Sequence, residues 1–169
     1  MTTSVVVSTS VSEHGTVPAT LVEAVQRATV ATFSMICGEE PSYIGDGNDR
    51  PKYDGLVGII SFTGDVPWSL MLGLPRETAM ALAVKFTGME IDFDSPDMGD
   101  VVGELANILA GDATAQLDAV GVTVQMSVPT AARGSDLEML LPGGLPSVRL
   151  NFSSPDGNFW VKVVTAKPT

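Results

Sequence analysis

Cysteine and histidine are almost missing from this 169-residue chain, which holds one of each, Cys37 and His14. A single cysteine leaves no intramolecular disulfide to form, which suits a reducing compartment. A lone histidine, set in a Ser-, Thr- and Val-rich N-terminal stretch, cannot serve a Ser-His-Asp triad or activate Cys37, and it builds no metal cluster. Bases are scarce as well: nine Lys and Arg stand against 20 Asp and Glu, for a net charge of −11. That balance leaves no basic footprint for nucleic acid, and anionic lipid surfaces would repel it. No apolar run approaches the roughly 18 residues of a membrane span. The opening MTTSVVVSTSVSEHG lacks the basic start and long apolar core of a secretory signal. The expectation is a soluble, cytoplasmic protein that binds neither nucleic acid nor membrane, with proteins or neutral molecules as partners.

What is present is enough apolar material for a core: 44% of residues are hydrophobic and the mean hydropathy is +0.26. The length fits about one domain. Residues 1–17 read as a flexible tail or an extra edge strand, and residues 18–169 as the domain. Pro18 opens ATLVEAVQRATVATFSMIC, whose apolar positions follow helical spacing up to Gly38. EEPSYIGDGNDRPKYDG (39–55) reads as loop. Two apolar β-rich runs, 56–62 and 67–74, flank Thr63-Gly64-Asp65, a hairpin signal. A helix follows over 75–88, proline-started and glycine-ended. A longer helix begins at Ser95-Pro96-Asp97 and runs to Val120, and strands are expected at 122–128, 147–152 and 158–164. These elements mix without βαβ regularity, so the predicted class is α+β: a two-layer domain with a largely antiparallel sheet and long helices packed on it.

The long helix is the informative one. Its stretch DVVGELANILAGDATAQL (100–117) places glycine at 103 and 111, although each interior glycine costs about 1 kcal/mol relative to alanine. At 100° per residue, Val101, Val102, Leu105, Ala106, Ile108, Leu109, Ala113, Leu117 and Val120 form one apolar arc that must pack on the sheet. Asp100, Glu104 and Asn107, spaced i, i+4, i+7, form a stripe on the other side. Gly103, Ala110, Gly111 and Ala115 flank it with almost no side chain. A solvated helix face normally carries long Lys, Glu and Arg side chains in i,i+4 pairs. Here an acid and an amide stand on a shaved surface, a shape suited to entering a partner's cleft.

Asp-x-x-x-Glu-Leu-x-Asn-x-x-x-Gly-x-Ala, read from Asp100 to Ala113, resembles the signature of the CheC/CheX/FliY family of chemotaxis phosphatases, and within it the CheX-like members. Pro129 matches the proline that the family carries downstream. The order of elements is similar over roughly residues 18–166, and the specific match lies within 95–129. The resemblance implies a phosphatase that hydrolyses the aspartyl phosphate of a CheY-like response regulator. It implies that Asn107 positions the attacking water and that Glu104 docks on a receiver lysine. Asp100, Gly103 and Gly111 would contribute to the binding surface; Asp100 has no assigned chemical step, and orienting the helix end is an equal role for it. No cofactor would be bound by this chain, because the phosphorylated receiver supplies Mg²⁺. Some relatives carry two signature helices. Here the first helix offers only Glu23-Ala-Val-Gln26, with Ala19 where the leading acid belongs, so one site per chain is expected. CheX-like proteins pair through their sheets, which implies a homodimer using 122–128 or 147–164. The alternative is a non-enzymatic docking module of the same flagellar-switch superfamily.

Other candidates fall on chemical grounds. Asp46-Gly-Asn48-Asp49 begins like a calcium loop, but Pro51 and Val57 stand where the turn glycine and the bidentate Glu belong. Leu141-Pro-Gly-Gly-Leu-Pro146 has no lysine and precedes a strand, so it is not a phosphate loop. Cys37 reads as a small buried hydrophobe. Trp68 and Trp160 read as packing residues.

Overall fold

A computed structural model describes residues 16–47 and 52–167 of the chain. The N-terminal tail expected at 1–17 therefore lies outside the described residues except for its last two, as do His14 and residues 48–51 of the calcium-like stretch. The elements run α1 (Ala19–Cys37), β1 (Ser42–Gly47), β2 (Tyr53–Gly64), β3 (Trp68–Pro75), α2 (Arg76–Thr87), α3 (Pro96–Asp118), β4 (Val124–Met126), β5 (Thr130–Leu137), β6 (Ser147–Ser154) and β7 (Gly157–Thr165). The seven strands form one sheet in the order β1-β6-β7-β3-β2-β4, with β5 also paired to β2. All the pairings are antiparallel, and the class is the α+β one predicted.

Period-two alternation decides which side chains meet the helices. Leu56, Ile60 and Phe62 of β2, Leu70, Leu72 and Leu74 of β3, and Phe159, Val161 and Val163 of β7 join the three helices in the main core. Phe33 of α1 stacks on Phe159 with ring centroids 4.1 Å apart. The opposite sheet face holds a smaller cluster: Val57, Met71, Trp160 and Val164, partly covered by Leu137, Met139, Leu141 and Leu145. The glycine-rich 141–146 segment thus folds back as a cover for that face.

One glycine controls how close α3 comes to the sheet. A Cβ added at Gly58 in β2 would lie 2.8 Å from the Cβ of Ala106 and 3.2 Å from the backbone oxygen of Val102. The hairpin after β2 closes as its residues direct: Gly64 takes φ 121°, Asp65 N–H donates to Thr123 O at 3.0 Å, and Thr123 N–H donates to the Asp65 carboxylate at 2.9 Å.

Two strands lie where none was expected. The 39–55 stretch holds β1 and the start of β2, and β5 occupies 130–137. Both β1 and β5 are polar strands with little burial. β1 exists because β6 pairs with it, because the Asn151 amide donates to Gly45 O at 3.1 Å, and because Tyr43 packs edge-on against Phe152 at 5.7 Å. The region expected as a strand at 122–128 supplies only the three residues of β4. The segment 147–164 is interior to the sheet, with β6 between β1 and β7, and β7 between β6 and β3. It has no free edge to offer a second copy.

Gly58→Ala forces a methyl against Ala106, which has no flexible end to move aside. Urea unfolding should show a loss of about 1–3 kcal/mol, the usual scale of overpacking, with the secondary structure retained.

Candidate active site on the long helix

α3 begins as its sequence asks, with Ser95 extended at the N-cap, Pro96 in the first turn and Asp97 behind it. The expected cap hydrogen bond is replaced: the Ser95 hydroxyl donates instead to Asp92 O at 2.8 Å. The inward arc lies where the spacing puts it. Val101, Val102, Leu105, Ala106, Leu109, Ala113 and Leu117 are all buried, while Ile108 is half-buried and Val120 lies past the helix end, exposed. A second contact ties α3 to α1, where the Thr32 hydroxyl donates to the Asp112 carboxylate at 2.5 Å.

On the outward side Asp100 and Glu104 are exposed and Asn107 is half-buried. Three residues along a helix is close to one turn, so the two Cβ atoms lie about 5–6 Å apart and the side chains leave the same face. Among the described residues, Asp100, Glu104 and Asn107 form no side-chain hydrogen bond or ion pair. An acceptor carboxylate and an amide that can both donate and accept are therefore turned outward together.

The two glycines beside the stripe differ. Gly111 faces open space, with nothing within 4 Å of an added Cβ. Gly103 is buried and lies beside the ring of Pro129, whose Cβ and Cγ would stand 3.7 Å from an added Cβ, so a methyl there would meet the ring in ordinary contact. One flank of the stripe is bare, and the chain's own link from β4 to β5 roofs the other. Val128, the residue before that proline, is 82% exposed. On α1, Glu23 is exposed and Gln26 half-buried, with Ala19 in place of a leading acid.

Sequence reasoning passed over Arg133. From β5 its Nη1 donates to the backbone oxygens of Phe93 at 3.0 Å and Ser95 at 2.8 Å, the residues leading into α3. A lone arginine in a polar stretch carries no signal of that kind in one dimension. Cys37 is 8% exposed, and burial first, then a hydrogen bond to Asp156, pushes its thiol up to about 11. Lys85 pairs with Asp156 at 2.9 Å and donates to Cys37 O at 3.1 Å, so this cluster fastens α1 and α2 to the β6–β7 turn. A cavity of about 200 Å³ lies among Tyr53, Arg149, Asn151 and Trp160, with no α3 residue in its wall. It is smaller than the roughly 300–1,000 Å³ usual for a ligand site. Among the described residues no three His, Cys, Asp or Glu side chains gather as a metal site.

The class of fold is shared with known chemotaxis proteins. The crystal structure of the chemotaxis protein CheX from Vibrio vulnificus superposes with a TM-score of 0.78 at 18% identity, over 88% of this chain and 100% of that one. The structure of a CheX–CheY–BeF₃–Mg²⁺ complex from Borrelia burgdorferi is similar with a TM-score of 0.72 at 23% identity, over 88% of this chain and 98% of that one. The family model of the chemotaxis phosphatase CheX matches residues 56–153, more than half of the sequence, and the chain belongs to that family. The CheY-P phosphatase CheX of Thermotoga maritima is 32% identical over 85 residues, which is 50% of this chain and 55% of that protein. The alignment thus spans about half the length of that curated relative.

A thiol raised to about 11 stays protonated well above neutrality. Cys37 should therefore resist alkylation at pH 8 in the folded protein and react fully in urea; rapid labelling of the native state would contradict the burial.

Proposed function

We propose that this chain is a cytoplasmic phosphatase for the aspartyl phosphate of a CheY-like response regulator. The observation that carries the reading is the pairing of Glu104 and Asn107 on one outward face, both without partners among the described residues. Family membership and the Thermotoga relative's name support the same chemistry.

The roles follow from the groups. Glu104 offers a carboxylate to a lysine of the receiver, which seats the helix. Asn107, about one turn on, holds a water with its carboxamide, the amide oxygen accepting a hydrogen bond from one O–H so that an oxygen lone pair is aimed at phosphorus, and both protons of the water leave with the phosphate. Water adds to phosphorus, the bond from phosphorus to the aspartyl oxygen breaks, and the products are inorganic phosphate and a free carboxylate. Transfer of this kind depends on alignment and charge stabilisation more than on a strong base. A neutral amide also avoids setting a further negative charge against the phosphate. The divalent ion that offsets the phosphate's charge comes with the receiver. Asp100 and the open surface at Gly111 border the docking face. The unpaired side of β4 is the edge through which two copies would join as a homodimer.

Asn107→Ala should keep the fold, by circular dichroism, and slow receiver dephosphorylation by on the order of 100-fold, the scale for removing one aligned amide. Glu104→Lys should raise KM as well as lower turnover. An Asn107→Ala chain as fast as the parent would sink this mechanism. Binding of the phosphorylated receiver without acceleration would indicate a docking module, and no binding a purely structural domain.

A further inference from the structure

Nothing polar within the described chain aims Glu104 or Asn107, so their direction is set by the placement of α3 alone. Three contacts fix that placement toward the helix's first half. Ala106 and Val102 sit tightly on Gly58 of β2, and the Pro129 ring lies beside Gly103 with room for a methyl between them. Arg133 grips the entry turn through Phe93 O and Ser95 O. Phe93 is itself a fixed point: its ring is 3% exposed, the Arg76 guanidinium lies 4.2 Å above it, and Arg76 pairs with Asp54 at 3.6 Å.

The spacing of the two contacts from the β5 side is telling. Pro129 and Arg133 are four residues apart on extended chain, about 13 Å. Ser95 and Gly103 are eight residues apart along the helix start, about 12 Å. The matched lengths mean that β5 and the residue before it run alongside the opening two turns of α3 and hold both ends of that segment. Arg133 pairs across the sheet with Leu56, a core residue on the helix side, so its side chain leaves the strand toward α3. Glu104 follows directly after Gly103, beside the Pro129 ring. The entry turn is braced locally, by the Ser95 hydroxyl on Asp92 O and by Asp94 N–H on the Asp92 carboxylate, and the Arg133 guanidinium ties that turn to the sheet.

We propose that Arg133 is a positioning residue for receiver dephosphorylation: by holding the carbonyls of Phe93 and Ser95 it sets the height and rotation of α3, and with them the aim of the Asn107 carboxamide. This rests on the phosphatase reading above. Misplacement by an ångström is costly where a water must be aligned, whereas docking through Glu104 tolerates more freedom.

The test compares the parent chain with Arg133→Met, which keeps the apolar stem and removes the donors, and Arg133→Lys, which keeps a charged donor. Steady-state kinetics on a phosphorylated receiver are read together with hydrogen exchange at residues 96–104. Arg133→Met should lower kcat by roughly 10- to 100-fold, leave KM within about twofold, and speed exchange across those residues. Arg133→Lys should recover most of both. An Arg133→Met chain with parental kcat and exchange overturns the proposal. So does a rise in KM at unchanged kcat, which would mean that Arg133 touches the receiver, and so does equal damage in both variants. A parent chain that does not accelerate phosphate loss fails the phosphatase reading instead, and exchange then reports separately whether Arg133 holds the helix start.

Discussion

The seating of α3 on β2 is the contact on which the rest depends. The helix carries its polar stripe outward only because its other face reaches the sheet closely enough to exclude water, and the absent side chain of Gly58 permits that approach. Burial of Val102, Leu105, Leu109 and Ala113, at roughly 25 cal/mol per Å² of apolar surface, supplies the force that keeps the helix in register. A rotation of α3 by one residue, about 100°, would drive Glu104 or Asn107 toward the core and lift an aliphatic side chain into solvent. The hydrophobic pattern therefore doubles as the orientation device for the polar stripe.

That arrangement suits a chain with a single cysteine and a single histidine. The thiol is sunk in the packing and held protonated, so it competes for no chemistry. In the function proposed above, the polar pair on α3 would bring a docking charge and an alignment group, and would leave activation of phosphorus to the partner that bears it. Division of labour of this kind asks little of the protein's electrostatics and much of its rigidity. It accounts for a site aimed by the seating of its helix.

Much of this was legible in one dimension. The long helix announced itself through twenty-odd residues of sustained periodicity with proline at one end and glycine beyond the other, and that periodicity placed Asp100, Glu104 and Asn107 on a common outward face. The interior strands β2, β3, β6 and β7 were visible as apolar runs. β1 and β5 were not, because a polar edge strand has neither alternation nor burial to mark it and forms by borrowing hydrogen bonds from a neighbour far along the chain. Gly103 read as bare surface, but the ring that covers it belongs to Pro129, 26 positions later. The motif marks that proline, but nothing in one dimension records its contact. Arg133 escaped for the same reason, since its role is a relation between two segments and no property of its own neighbourhood records it.

The break between β4 and β5 carries a last implication. Both pair with β2, and Ser127 N–H still donates to Ser61 O, so they are in effect one strand interrupted at 128–129. Proline cannot donate to a ladder, and the interruption releases it to lean on the helix. Because pairing resumes immediately at Thr130, the number of residues in the gap is locked from both sides. An inserted or deleted residue there would slip β5 along β2, turn Arg133 to the opposite sheet face and draw the ring off Gly103 in the same stroke. Over evolution, this short link should hold its length far more strictly than the 138–146 cover, where extra chain disturbs no register.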